Sequence, residues 1–205
     1  MPCDALDALR GKVTGANLEF EDCNIMARWE LRTSTREDHD RVDAVFDRFD
    51  LADKADYAAF LRAHAAALLP VERALDAADA EAVIADWPER RRAYRLAQDL
   101  ADLGERVMPT SAASLELDSP EAILGALYVI EGSRLGGAML AKRVPADLPR
   151  RYLAASDPAR WRALVALIDE SLVTSSQREQ ALRAARAVFG LFEHAAAAQA
   201  KAPVL

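Results

Sequence analysis

Cysteine is nearly absent from the chain: two in 205 residues, Cys3 and Cys23. That is too few for a four-cysteine metal site, and a disulfide between them would clamp only the leading segment. Two reduced thiols in a cytoplasmic protein is the plain expectation. Histidine is scarce too, at His39, His64 and His194. None belongs to an HExxH pair and none follows a glutamate by three residues, which sets aside zinc proteases and carboxylate-bridged di-iron bundles. There is no GxSxG elbow, no Walker loop and no GxGxxG after a strand. Alternating β-branched runs and Asn-Gly or Asp-Gly hairpin turns are missing, which argues against sheet. No apolar run approaches the roughly 20 residues of a membrane span, and MPCDALDALRGKV lacks the layout of a signal peptide. The net charge of −7 argues against general nucleic-acid binding. Neither a nucleic-acid nor a membrane partner is therefore expected. An anionic ligand would need local basic groups, for which the run Arg90, Arg91, Arg92, Arg95 and the C-terminal Arg178, Arg183 and Arg186 are candidates, unless they form an ordinary solvated helix face.

What the chain does contain is helix-forming sequence. Hydrophobic residues make up 52% and charged residues 29%, a globular balance. The spacing predicts helices over 24–48, 54–79, 80–86, 88–106, 119–142, 157–172 and 176–198. Asp53, Ser119-Pro120-Glu121 and Asp157-Pro158 supply start signals, and Pro88 sits in a first turn. Pro70 is expected to kink or divide its helix. The alanine-rich tail after His194 is expected to fray. The architecture that follows is all-α: a single-domain bundle of about seven helices over 24–198, with an N-terminal extension 1–23 and a flexible tail 199–205.

Three of the eight glycines fall within EGSRLGGAML: Gly132, Gly136 and Gly137. A glycine inside a helix costs about 1 kcal/mol relative to alanine, so either the segment is not helical or something approaches its backbone closely. Gly132 and Gly136 share a helix face, and Gly137 would extend the opening. A planar ligand lying on bare backbone is one explanation, and tight helix packing is the other. Arg32, Thr35, His39, Val42 and Phe46 likewise recur at steps of three or four. That stripe is apolar at its C-terminal end and carries a cation, a hydroxyl and an imidazole at the other. It suits the mouth of a pocket for an anionic ligand with an apolar body, although His39 would also be ordinary as a helix-edge residue. His64, between Phe60 and Leu68, competes as a functional histidine and equally fits a satisfied core one. An imidazole on one helix and a glycine shelf on another together describe a heme site.

LRTSTREDH and ALYVIEGSRLGG resemble the proximal and distal segments of the heme oxygenase family, particularly its bacteriophytochrome-associated bacterial branch. AARAVFGLFEHA resembles the family's last long helix. The resemblance spans roughly residues 25–198. It implies heme held between a proximal and a kinked distal helix, with His39 as the axial iron ligand. Gly132 and Gly136 would crowd the bound O2, Arg32 would face a propionate, and Phe189 would form part of the apolar wall. Thr35 and Gly137 join the heme-binding set, and Ser133 is the nearest small polar side chain to the first glycine. Arg162, Arg178 and Arg183 are further propionate candidates. The implied reaction uses heme as both substrate and cofactor with O2, yielding biliverdin, carbon monoxide and ferrous iron. Electrons would come from ferredoxin, a reductase or ascorbate, with a donor docking on residues 90–95 and a bacteriophytochrome receiving the product. EGSRLGGAML departs from many relatives in having no aspartate, which keeps open a non-catalytic heme or bilin carrier, or a partner-binding module, on the same fold. Thiaminase-like hydrolysis and a ligand-free helical adaptor are the remaining alternatives.

Overall fold

The computed structural model describes residues 26–107, 115–155 and 157–200, and every regular element among them is a helix. They are α1 (Ala27–Ser34), α2 (Arg36–Phe46), α3 (Lys54–Ala77), α4 (Ala80–Val83), α5 (Trp87–Arg90), α6 (Ala93–Asp102), α7 (Pro120–Leu140), α8 (Pro158–Ser171) and α9 (Ser175–Gln199). The expectations about Cys3, Cys23 and the extension 1–23 lie outside the described residues, as does most of the tail.

Helix starts follow the local chemistry. Asp53 Oδ1 accepts the backbone N–H groups of Ala55 and Asp56 at 2.9 Å each. Ser119 Oγ accepts Ala122 N–H at 3.2 Å, and Asp157 Oδ1 accepts those of Ala159 and Arg160 at 3.1 Å. Each satisfies donors that the first helical turn leaves without a partner. α9 opens on a reciprocal Thr174–Gln177 capping box that the sequence reading missed.

Tertiary contacts overrule the sequence pattern in four places. The helix expected over 24–48 breaks at Thr35 (φ −106°, ψ 7°), whose buried hydroxyl donates to the Leu31 carbonyl at 2.7 Å. α3 is not divided at Pro70 but continues through it as one helix, because Leu68, Val71 and Leu75 around it are fully buried. Burying each such side chain is worth about 1.5–3 kcal/mol, enough to offset one lost backbone bond. The helix expected over 88–106 divides into α5 and α6 because Glu72, on α3, takes the N–H groups of Arg92 (2.7 Å) and Ala93 (3.0 Å). A carboxylate from a distant turn thus caps α6. The tail does not fray at His194: α9 continues to Gln199, holding Ala196 in the core and accepting Arg62 Nε at 3.2 Å.

α9 is the central strut, with α7, α3, α2 and α1 all packed on it. Its contact with α7 is backbone to backbone. A Cβ on Gly125 would stand 2.0 Å from the Ala181 carbonyl oxygen, so only glycine permits this approach. By length and composition α7 could cross a membrane, although Glu131 and Arg134 interrupt its apolar run. Its residues Ala122 to Leu127 are instead buried in the bundle, and its buried Glu131 and Arg134 are ion-paired.

Candidate functional site

α2 and α7 both lean on α9 but barely touch each other, which leaves a slot with α9 as its floor. The two walls run in the same direction. At one end Thr35 faces the Tyr128 phenol closely enough to hydrogen-bond it. At the other, Arg143 reaches Asp47 at 3.8 Å. Between those closures α2 rises about 18 Å.

The α2 wall presents His39. Its Nδ1 lies 3.2 Å from Asp43 Oδ2, one turn on, and its ring meets the Phe189 ring of α9 edge-on at 6.1 Å. Burial pushes the Asp43 carboxyl above its ordinary value; the His39 charge opposes this, while Asp47 and Asp40 add to it. A carboxylate on Nδ1 fixes the imidazole tautomer and leaves Nε2 with its lone pair outward, as in histidines that ligate metals.

The α7 wall is helical throughout, glycines included. The three glycines of EGSRLGGAML nevertheless do different jobs. Nothing lies within 4 Å of a Cβ placed on Gly136, so its backbone faces open space. A Cβ on Gly132 would rest at ordinary contact distance, 3.5 Å, against the Trp161 ring of α8. Gly137 does not extend the opening. A Cβ there would come 2.7 Å from the Leu153 carbonyl oxygen, so this glycine serves helix–loop packing. The packing explanation of the glycine cluster therefore holds at Gly137, while Gly136 leaves bare backbone facing open space.

Other expected residues fall around the slot. Arg32 is exposed and lies over the Trp29 ring at 5.3 Å, near enough for its charge to lower the Tyr128 phenol against the burial that raises it. Thr35 is 2% exposed and takes part as a hinge rather than as an open pocket hydroxyl. Ser133 Oγ donates to the Ile130 carbonyl at 2.9 Å and accepts from Arg92. Among the propionate candidates, Arg178 is held by Glu30 at 2.6 Å, while Arg162 and Arg183 are exposed. His64 proves to be a core histidine: Nδ1 donates to the Phe60 carbonyl at 3.0 Å among Phe46, Phe60, Tyr152 and Phe192.

The run at 90–95 is not the solvated arginine surface that donor docking would need. Arg90 and Arg92 are 1% and 3% exposed. Arg90 reaches Glu131 at 3.1 Å and Asp86 at 2.6 Å, while Arg134 pairs with Glu131 at 2.9 Å and donates to the Arg90 carbonyl. Sequence reasoning missed this buried polar cluster, along with Trp161 and Tyr128. The one available signal was Glu131 itself, a charge in the most apolar helix of the chain.

Among the described residues no group of three or more His, Cys, Asp or Glu is placed to hold a bare metal ion. A metal facing His39 needs most of its ligands from elsewhere, and a flat macrocycle between an imidazole and bare backbone supplies them. The fold is all-helical, with an imidazole on one wall of the slot and bare glycine backbone on the other. The family model described as heme oxygenase matches residues 26–198. A heme oxygenase of Xanthomonas campestris pv. campestris is 38% identical over 152 residues, 71% of this chain and 91% of the relative. Heme oxygenase PigA of Pseudomonas aeruginosa is 27% identical over 197 residues, 91% of this chain and 96% of the relative. Among solved structures, the NO- and CO-bound heme oxygenase from Neisseria meningitidis superposes with a TM-score of 0.73 at 25% identity, covering 85% of this chain and 92% of that one. The heme oxygenase of Leptospira interrogans shares the fold, with a TM-score of 0.68 at 19% identity, over 85% of this chain and all of that one. The chain belongs to the heme oxygenase family, and its substrate is heme, degraded with O2.

Proposed function

We propose that this chain converts heme to biliverdin, carbon monoxide and ferrous iron, with His39 as the iron's axial ligand. The observation that carries this reading is the pairing of His39, anchored by Asp43, with the open backbone of Gly136 on the other wall of the slot. Heme when bound supplies both the iron that activates O2 and the ring that is cut.

The chain's own residues supply position and exclusion. Asp43 faces His39 Nδ1 and would orient the imidazole with Nε2 outward. A neutral imidazole pushes less electron density onto iron than a thiolate does, which disfavours early O–O cleavage. Gly136 would offer bare backbone to the face of the bound ring, with Gly132 one turn earlier backed by the Trp161 ring. Phe189 closes the floor, and Arg32 stands at the mouth, where a carboxylate substituent would emerge. The electron donor we propose is external, ferredoxin or a reductase, with ascorbate as a laboratory substitute. With Arg90 and Arg92 buried, Arg91 and Arg95 are the arginines of the 90–95 run left to face it. The likeness of ALYVIEGSRLGG to the bacteriophytochrome-associated branch supports a bacteriophytochrome as recipient of the biliverdin.

The test is an optical heme titration of the wild type and His39→Ala, followed by ascorbate or ferredoxin under oxygen. The expected result is a stoichiometric Soret complex that depends on His39, then loss of that band and growth of a biliverdin absorbance. A stable complex that never bleaches would instead assign the chain as a heme carrier.

A further inference from the structure

A second opening lies on another part of the molecule. Glu72, Arg73 and Asp76 share one face of α3 and line an open cavity of about 340 Å³. Pro88 and Arg91, around α5, and Tyr94 of α6 form its other side. None of its lining residues belongs to α2, α7 or α9, so it is separate from the slot.

The fold uses only part of the charge inside this cavity. Glu72 is 7% exposed, and its Oε1 accepts the N–H groups of Arg92 and Ala93 that open α6. Oε2 has no hydrogen-bond or ion-pair partner among the described residues and is not sealed in the interior. It opens on the cavity that Glu72 lines. Capping α6 needs one acceptor oxygen, which a glutamine would also provide. The second oxygen instead keeps a carboxylate nine-tenths buried, a costly arrangement without a counter-ion. Burial accordingly holds this carboxyl above its ordinary value, against the two N–H groups and the charges of Arg92 and Arg134.

The rim offers the opposite charge. Asp76 is already committed, with Oδ1 accepting Trp87 Nε1 at 2.7 Å and Oδ2 meeting Arg91 at 3.2 Å. Arg73 is exposed and donates Nε to the Leu69 carbonyl at 3.3 Å. Its guanidinium has no carboxylate within ion-pair distance among the described residues. Tyr94, which is 53% exposed, and Pro88 add aromatic and apolar surface to the same cavity.

We propose that this cavity binds a free amino acid with an apolar or aromatic side chain, its ammonium donating to Glu72 Oε2 and its carboxylate facing Arg73. An unpaired acid within and an unpaired guanidinium at the rim match the two charges of such a zwitterion. The side chain rests on Tyr94 and Pro88. The volume falls at the small end of ligand pockets, as a molecule of this size requires.

The experiment is calorimetric titration of L-phenylalanine, L-tyrosine and L-leucine into the apoprotein and into its heme complex. At least one is expected to bind a single site with a Kd of about 1 mM or tighter. Glu72→Gln keeps an acceptor for the α6 cap and is expected to weaken that amino acid about tenfold, as is N-acetylation of its ammonium. Failure of all three to saturate at about 10 mM overturns the proposal. So does an affinity unchanged in Glu72→Gln. Displacement of the amino acid by heme would place it in the slot and overturn the proposal too. Where Glu72→Gln does not fold by circular dichroism, Arg73→Ala and Tyr94→Ala decide, since both side chains are exposed. Each is expected to weaken binding about three- to tenfold, and wild-type affinity in both overturns the site.

Discussion

Asp43 Oδ2 stands 3.2 Å from His39 Nδ1, one helical turn along the wall of the slot. If this carboxylate orients the ligating imidazole, its removal should damage heme binding without unfolding the protein, since both side chains are more than half exposed. Asp43→Asn is expected to weaken heme about 10- to 100-fold, the usual cost of losing a carboxylate partner behind a ligand histidine. His39→Ala should abolish the axial complex altogether. Heme titration with far-UV circular dichroism of the apoprotein separates ligand loss from misfolding. Equal affinities for wild type and Asp43→Asn would show that the pair is only a surface contact.

The glycines of α7 give a test that separates packing from ligand seating. Gly136→Leu should leave the apoprotein folded and no less stable, because the added side chain meets open space and improves helix propensity by up to about 1 kcal/mol. It should nevertheless block heme. Gly137→Ala should do the reverse, costing about 1–3 kcal/mol by forcing Leu153 away while leaving the slot itself open. Gly125→Ala, jammed against the Ala181 carbonyl, should be the most destabilising of the three. Thermal melts and heme titrations on the same preparations check all of these outcomes.

The fates of these residues show what was legible in the sequence. The all-helical class and the capped starts at Asp53, Ser119 and Asp157 rest on interactions within one or two turns. Such interactions are written in local spacing. The break at Arg91–Arg92 was not legible, because its cause is a carboxylate on another helix twenty residues earlier. The same holds for Gly137, which is indistinguishable from Gly136 by composition and differs only in facing Leu153. The arginine run misled for a related reason: charge in a sequence reads as surface, and Glu131 turns Arg90 inward from 41 residues away.

That buried cluster makes a strong stability prediction. Glu131→Ala leaves two guanidinium groups, Arg90 and Arg134, beside a cavity with a shared partner gone. Breaking a buried pair from one side costs about 3–5 kcal/mol. For a chain of this size that corresponds to a fall in Tm of about 6–20 °C. Replacing exposed partners, as in Asp40→Ala opposite Arg36, should cost no more than about 1 kcal/mol. Calorimetry of the two variants tests the contrast. A small effect at Glu131 would mean that Arg90 finds enough support in Asp86 and the Arg160 carbonyl.

His64 sets a pH dependence with a definite sign. Its burial among four aromatic rings pulls its pKa from 6.5 to about 3, with the hydrogen bond to Phe60 opposing and the charge of Arg92 adding to the fall. Between those two values the unfolded chain binds a proton at this residue and the folded chain does not. Stability from this group is therefore complete above pH 6.5 and is lost progressively as the pH falls towards 3. The limiting slope is about 1.4 kcal/mol per pH unit, and roughly 1 kcal/mol per unit is expected at a partly accessible site. His64→Leu removes the titration while keeping an apolar side chain between Phe46 and Phe192. Urea unfolding of wild type and His64→Leu at pH 7.5, 6.0 and 5.0 should show the wild type losing stability relative to the variant on the acid side. Parallel curves across that range would mean that His64 titrates normally, and that the aromatic cage admits water freely enough to solvate its charge.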